Sequence, residues 1–226
     1  MAVIVETRCH PLLAHVINNV HFCTGLTVQL IHGHENSNTT KAHPELRPLL
    51  DTGKLLLSEL DARTLSAQKY NALLLHPDFW HALAGRNKIL FFQTDALLCP
   101  NSPYKLDDFL DFDYIGSWWP SNRPSGMLLD GGNGGLSLRD WQYSTQCLER
   151  FPPQNWNGGE DGYFAFHIDY LGGRVGRDED MKKFGTQYVF DYLSFGAHHI
   201  SMLEKTDPDA YRRFIEYCPE AAKMMR

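Results

Sequence analysis

No hydrophobic run in the sequence approaches the roughly 20 residues needed to cross a bilayer, and no block of lysine or arginine marks an anionic membrane or nucleic acid as partner. The charge balance agrees: 21 Lys and Arg stand against 27 Asp and Glu, a net of -6. Five scattered cysteines (Cys9, Cys23, Cys99, Cys147, Cys218) form no Cys-x-x-Cys pair, so neither a zinc ribbon nor a disulfide framework is expected, and a reducing compartment fits. The opening Met-Ala-Val-Ile-Val-Glu-Thr-Arg has too short an apolar run for a signal peptide, which makes a soluble, cytoplasmic protein the expectation. Repeats, low-complexity tracts and linkers are also missing. What remains is a chain of 226 residues, 43% hydrophobic, enough for one sizeable core and suited to a small-molecule partner.

The stretch Lys88 to Cys99 organises that core. Ile89 to Phe92 is an unbroken apolar run, which reads as a strand buried on both faces of a sheet. Gln93, Thr94 and Asp95 then sit at its carboxyl end, where open α/β sheets bind ligands. Asp95 either holds a cation or orients a hydroxyl there, or simply turns the chain. Earlier strands are read at Ala2–Val5, Thr27–Ile31 and Lys54–Leu57, with a helix from about Pro11 and another over 66–83 that Pro77 should interrupt. Strands and helices in this alternation predict a parallel α/β sheet. His32 and His34 have metal-ligand chemistry but no third partner nearby, and read as turn and surface histidines. The sequon Asn38-Thr39-Thr40 carries little weight.

The second half differs in character. Tyr114-Ile115 runs into Trp118-Trp119, two flat apolar faces suited to stacking on a sugar or base, with burial in the core as the rival reading. Residues 131–139, Gly-Gly-Asn-Gly-Gly-Leu-Ser-Leu-Arg, form a glycine-rich entry into a strand that matches neither the dinucleotide fingerprint nor the P-loop. Glu160-Asp161 follows on a glycine-flanked turn; the two acids supply either a proton acceptor or an acidic first turn of a helix. A capped amphipathic helix over Tyr211–Tyr217 ends the chain.

Together these motifs resemble the DUF5672 family, itself similar to glycosyltransferases of the GT-A fold. The resemblance runs in order through Val5-Glu6-Thr7-Arg8, Tyr70-Asn71, Phe79-Trp80, Phe92-Gln93-Thr94-Asp95, Asp113-Tyr114-Ile115-Gly116, Asn133 to Arg139, Glu160-Asp161 and Phe195-Gly196-x-His198. It implies a single GT-A-like domain over residues 1–200, a mostly parallel central sheet flanked by helices, with 201–226 as a helical extension packed on it. By the same resemblance Glu6, Thr7, Arg8, Tyr70, Asn71, Gln93, Thr94 and Asp95 line the donor pocket. Asp95 and His198 hold a divalent cation, Mn²⁺ or Mg²⁺, although Gln93 replaces the first acid of the Asp-x-Asp motif. Trp118, Trp119, Asn133, Gly134 and Gly135 border the acceptor, and Asp161 or Glu160 is the catalytic base.

The implied activity is transfer of a sugar from a UDP- or GDP-linked donor to a glycan or small hydroxyl acceptor, by inversion if Asp161 lies beneath the anomeric carbon. A noncatalytic nucleotide-sugar or glycan-binding protein on the same fold is the alternative that Gln93 favours. A metal-dependent hydrolase using the same residues is the third reading.

Overall fold

Strands buried on both faces build the centre of the molecule. In the computed structural model, which describes residues 1–120 and 129–225, β1 (Ala2–Glu6) is buried along its whole length. Ala2 and Ile4 point into one apolar layer and Val3 and Val5 into the other, as alternation along a strand requires. Helices cover both layers. After β1 come α1 (Leu13–Thr24), β2 (Val28–His32), α2 (His34–Ala42), α3 (Arg47–Asp51), β3 (Leu55–Glu59), α4 (Ala67–Leu74), α5 (Pro77–His81) and β4 (Lys88–Phe92). The second half contributes β5 (Ala96–Leu98), β6 (Tyr114–Ser117), β7 (Asn133–Asp140), α6 (Trp141–Arg150), α7 (Glu160–Tyr170), α8 (Asp178–Phe184), β8 (Gly185–Thr186), β9 (Gly196–His198), α9 (Ser201–Thr206) and α10 (Pro208–Tyr217).

The main sheet has the order β3-β2-β1-β4-β7-β6. β1 pairs parallel with β2 and β4, and β2 with β3, whereas β7 pairs antiparallel with both β4 and β6. The expected mostly parallel sheet is therefore present, with β7 alone reversed. A second sheet, β5-β9-β8, was not legible in the sequence; its strands are two or three residues long, below the length at which a pattern shows. Its register sets Ala96 opposite His198, which brings the end of β9 beside Asp95.

Pro77 does divide the helix expected over 66–83. α4 is capped by Ser66, whose Oγ accepts from Lys69 N at 3.3 Å, and α5 restarts with Pro77 in its first turn. At the other end of the chain Asp207 Oδ1 accepts from Ala210 N at 2.9 Å and starts α10. Phe214 and Ala210 of that helix pack with Leu97 and Ala197 of the small sheet.

One cysteine expectation is corrected here. Cys99 and Cys218 form a disulfide with their Cα atoms 5.3 Å apart, tying the end of β5 to the end of α10. Their separation of 119 residues leaves no local spacing signal, and the bridge removes the support that scattered cysteines lent to a reducing compartment. Among the described residues no helix is long and apolar enough to cross a membrane.

Candidate active site

Strand exits that point the same way end in one cleft, a cavity of about 510 Å³. Glu6, Thr7 and Arg8 leave β1 on one wall, and Gln93, Thr94 and Asp95 leave β4 on the floor. Tyr70 and Asn71 descend from α4. The opposite wall is Asn133, Gly134 and Gly135 at the start of β7, with Glu160 and Asp161 opening α7 and His198 closing β9. Every donor, base and metal position expected from the sequence lines this cleft, together with the unforeseen His10 and Leu65.

Trp118 and Trp119 do not. Trp119 is 2% exposed and donates its indole N–H to the Leu129 carbonyl, while Trp118 donates to Asp178 Oδ1 of α8 at 2.6 Å. Both indole N–H groups find partners away from the cleft, and neither tryptophan is among the described residues that line it, so the core reading holds for Trp119. The histidine pair also divides. His34 sits on the surface between Glu59 and Asp61, with contacts of 2.8 and 2.9 Å. His32, expected at a surface turn, is buried, its Nδ1 3.0 Å from the Gly33 carbonyl oxygen, because β2 is central in the sheet.

On the first wall Arg8 folds back onto Glu6 as a fork, Nε to Oε1 at 2.9 Å and Nη2 to Oε2 at 2.7 Å. Asn36, fully buried and missed by sequence reasoning, pins this turn by donating to the Glu6 carbonyl at 2.7 Å and the Arg8 carbonyl at 3.1 Å. On the floor His198 Nε2 lies 3.3 Å from Asp95 Oδ1, at ion-pair distance without an aligned hydrogen bond; neither buried ring nitrogen has a hydrogen-bond partner. Burial opposes ionisation of Asp95, but His198 and then His199 hold its carboxyl below the usual range. Burial pushes the Tyr70 hydroxyl up to about 12, so it stays a neutral hydrogen-bonding group.

The glycine wall follows from a break in pairing. Gly116 faces Ser137 but Ser117 faces Asn133, so residues 134–136 leave the β6 ladder, and Gly134 and Gly135 line the cleft. The two glycines are needed for close approach. A Cβ on Gly135 would stand 2.1 Å from His198 Nε2, and one on Gly134 would stand 2.6 Å from both Arg139 Nη2 and Glu160 Oε1. Asn133 Oδ1 accepts from Gly135 N at 2.8 Å, while the Gly134 carbonyl accepts from Ser137 Oγ at 3.0 Å and Arg139 Nη2 at 3.4 Å.

Arg139 is fully buried and ion-paired with Glu160 through both guanidinium ends, Nη2 to Oε1 at 3.1 Å and Nη1 to Oε2. Burial pushes the Glu160 carboxyl up and Arg139 pulls it back, so the two are held as one ionic unit. Asn71 Oδ1 caps the first turn of α7 by accepting from Glu160 N at 3.3 Å. Glu160 is thereby engaged in the wall, and Asp161 is the other acid of that turn lining the cleft, with Gly162 N donating to its Oδ1 at 2.7 Å.

Comparison with known proteins now decides the family. The profile described as "Protein of unknown function (DUF5672)" matches residues 54–200. The chain belongs to the DUF5672 family. No curated protein matches it. Among solved structures it resembles glycosyltransferase GlyE from Streptococcus pneumoniae TIGR4, with TM-score 0.52 and 13% identity, covering 99% of this chain and 62% of GlyE. Galactosyltransferase LgtC in complex with donor and acceptor sugar analogs gives TM-score 0.50 and 12% identity over 100% of this chain and 97% of LgtC. Mannosyltransferase PcManGT from Pyrobaculum calidifontis, with GDP-Man and Mn²⁺, aligns at TM-score 0.49 and 18% identity over 80% of this chain and 55% of its own. At such identities the likeness is one of fold. This DUF5672 chain has the GT-A-like fold of nucleotide-sugar enzymes.

Asp95 and His198 lie side by side in the cleft, a carboxylate and an imidazole of the kinds that ligate cations. Among the described residues no group of three or more His, Cys, Asp or Glu is arranged to bind one. A carboxylate beside a buried imidazole with unpartnered nitrogens still fits a cation that takes the rest of its shell from phosphate and water oxygens.

Proposed function

We propose that the protein is a glycosyltransferase that moves a sugar from a UDP- or GDP-linked donor to a hydroxyl acceptor, a glycan or small molecule, with inversion. The observation that supports this best is the meeting of Asp95, His198 and Asp161 in one cleft on a GT-A-like fold. The nucleotide lies along the first wall, between Glu6 to Arg8 and the α4 residues Tyr70 and Asn71. The acceptor hydroxyl enters beside Asp161. Its oxygen bonds to the anomeric carbon as the bond from that carbon to the diphosphate oxygen breaks; the electron pair leaves with the nucleoside diphosphate and the proton passes to the Asp161 carboxylate. One displacement of this kind inverts the carbon. A divalent cation, Mn²⁺ or Mg²⁺, held by Asp95 and His198 would offset the charge on the departing diphosphate. Arg8 is the chain's own cation on that wall.

The test is a thermal-shift screen of UDP, GDP, CMP and their sugars with and without Mn²⁺ or Mg²⁺, since a ligand at about 100 times its Kd stabilises the fold by about 2.7 kcal/mol. A nucleotide shift that requires the metal is expected, followed by transfer from the matching sugar donor. Asp161→Ala should then abolish transfer with donor affinity largely kept, and Asp95→Ala should weaken donor binding. Equal loss of donor binding in both would overturn this division of roles. Gln93 in place of an acid favours one second reading, a noncatalytic nucleotide-sugar-binding protein, for which the nucleotide shift is independent of metal and no donor turns over.

A further inference from the structure

Arg139 makes four side-chain hydrogen bonds, yet its side chain is fully buried and so cannot touch a donor or acceptor. Its guanidinium lies over the rings of Phe91, Tyr114 and Phe164, with centroids 4.7, 5.3 and 5.4 Å away. This cage sets the plane of the fork. Within that plane the N–H groups reach two different pieces of the cleft wall. Nε donates to Ser137 Oγ at 2.9 Å and Nη2 to the Gly134 carbonyl at 3.4 Å, both on β7, while both ends of the fork hold Glu160 on α7. Ser137 Oγ closes the triangle by donating to the same Gly134 carbonyl.

Gly134 is also the residue whose N–H donates to Asp161 Oδ2, at 3.4 Å. The placement of Asp161 therefore depends on the bulge that Arg139 holds, and on the helix turn that Glu160 anchors. Glu160 itself has both oxygens on Arg139, is 6% exposed at its side chain, and has its backbone N–H capped by Asn71.

We propose that Arg139 is a positioning residue that locks the Gly134–Gly135 bulge to the first turn of α7, with Glu160 as its counter-ion and Asp161 as the proton acceptor. The kinetic arm of its test rests on the transferase reading; the structural arm does not. A lysine at this position supplies a point charge that cannot bridge β7 and α7 through a planar fork.

Four variants decide it: the double substitution Arg139→Met with Glu160→Met, Arg139→Lys, Glu160→Gln and Asp161→Asn. Replacing a buried ion pair by apolar residues of similar volume commonly leaves a protein folded, so the double variant separates positioning from collapse. Amide hydrogen exchange is followed at 133–135 and 159–162. Release of UDP or GDP from UDP-glucose, UDP-galactose and GDP-mannose with Mn²⁺ is followed as a function of pH. The double variant is expected to melt near the wild type, exchange faster in both segments, and lose about 100-fold in kcat with KM for the donor little changed, the loss typical of small misplacement. Arg139→Lys should not restore kcat. Glu160→Gln should keep the acid limb of the kcat profile, and Asp161→Asn should lose it. Wild-type exchange in the double variant overturns the positioning role, and so does wild-type kcat. Loss of the acid limb in Glu160→Gln, with its retention in Asp161→Asn, overturns the division between the two acids. Absence of turnover by the wild type with all three donors counts against the transferase reading, and hydrogen exchange then decides the positioning role alone.

Discussion

Two arginine–glutamate forks are built into the cleft walls, and their chemistry is the same while the exposure of their arginines is not. Arg8 grips Glu6 with a side chain 59% exposed, whereas Arg139 grips Glu160 with none of its side chain exposed. Glu6 and Glu160 are equally buried, with side chains 6% exposed, so the difference lies in the arginines: screening and side-chain entropy weaken the hold of an exposed guanidinium. In the dry wall solvent offers Arg139 no substitute for Glu160, so the pair behaves as one part. A wet fork is free to exchange its carboxylate for another anion. A dry fork holds its geometry whatever binds. The cleft thus joins an adaptable wall at β1 to a fixed one at β7 and α7.

Removing the carboxylate of the dry fork breaks this comparison at its widest point. Glu160→Ala leaves a guanidinium buried among aromatic rings with no counter-ion, and should cost about 3–5 kcal/mol in chemical denaturation. If it cost under about 1 kcal/mol, as an exposed pair would, the wall could not be regarded as dry. The paired Met substitutions should recover most of that loss, because they remove the orphaned charge along with its partner.

The same contrast explains what was legible in the sequence. β1 and β4 are buried along nearly their whole length, so apolar runs located them, and their polar exits Glu6 to Arg8 and Gln93 to Asp95 fell where parallel sheets bind ligands. The fixed wall is written in contacts between distant residues. Residue types alone left Glu160 and Asp161 equivalent; the approach of Arg139, 21 positions earlier, separates them. Arg139 lay inside the recognised Asn-Gly-Gly-Leu-Ser-Leu-Arg motif, but nothing local says that its side chain turns inward. Trp118 and Trp119 misled for the same reason, since an indole next to a strand exit reads alike whether it faces a cleft or a core. The Cys99–Cys218 bridge and the β5–β9 pairing join chain segments about a hundred residues apart, beyond any local pattern.

A methyl group tests the contact between the fixed wall and His198, one of the two proposed cation ligands. In Gly135→Ala the new Cβ would meet His198 at Nε2, Cε1 and Cδ2, all within 2.6 Å, and the buried ring has little room to yield. Overpacking of this kind costs about 1–3 kcal/mol. The larger consequence is local: the metal-dependent part of the nucleotide thermal shift should disappear while any metal-independent part stays. Retention of the full metal-dependent shift would mean that His198 has no place in cation binding.

The smallest expected change in stability comes from Arg8→Ala, and it is the one that sharpens the comparison. Glu6 is buried, but it also accepts from the Arg8 backbone N–H at 2.8 Å, a bond that survives the substitution. Loss of the exposed guanidinium should therefore lower stability by about 1 kcal/mol or less, close to 2–4 °C in melting temperature for a chain of this size. Nucleotide binding should respond in the opposite proportion if Arg8 meets the diphosphate as proposed, with UDP or GDP affinity falling more steeply than that of the free nucleoside. Equal losses for nucleotide and nucleoside would assign Arg8 to holding the β1 exit and nothing more. A fall confined to the phosphorylated ligands would mark the wet fork as the side of the cleft that changes partners on binding.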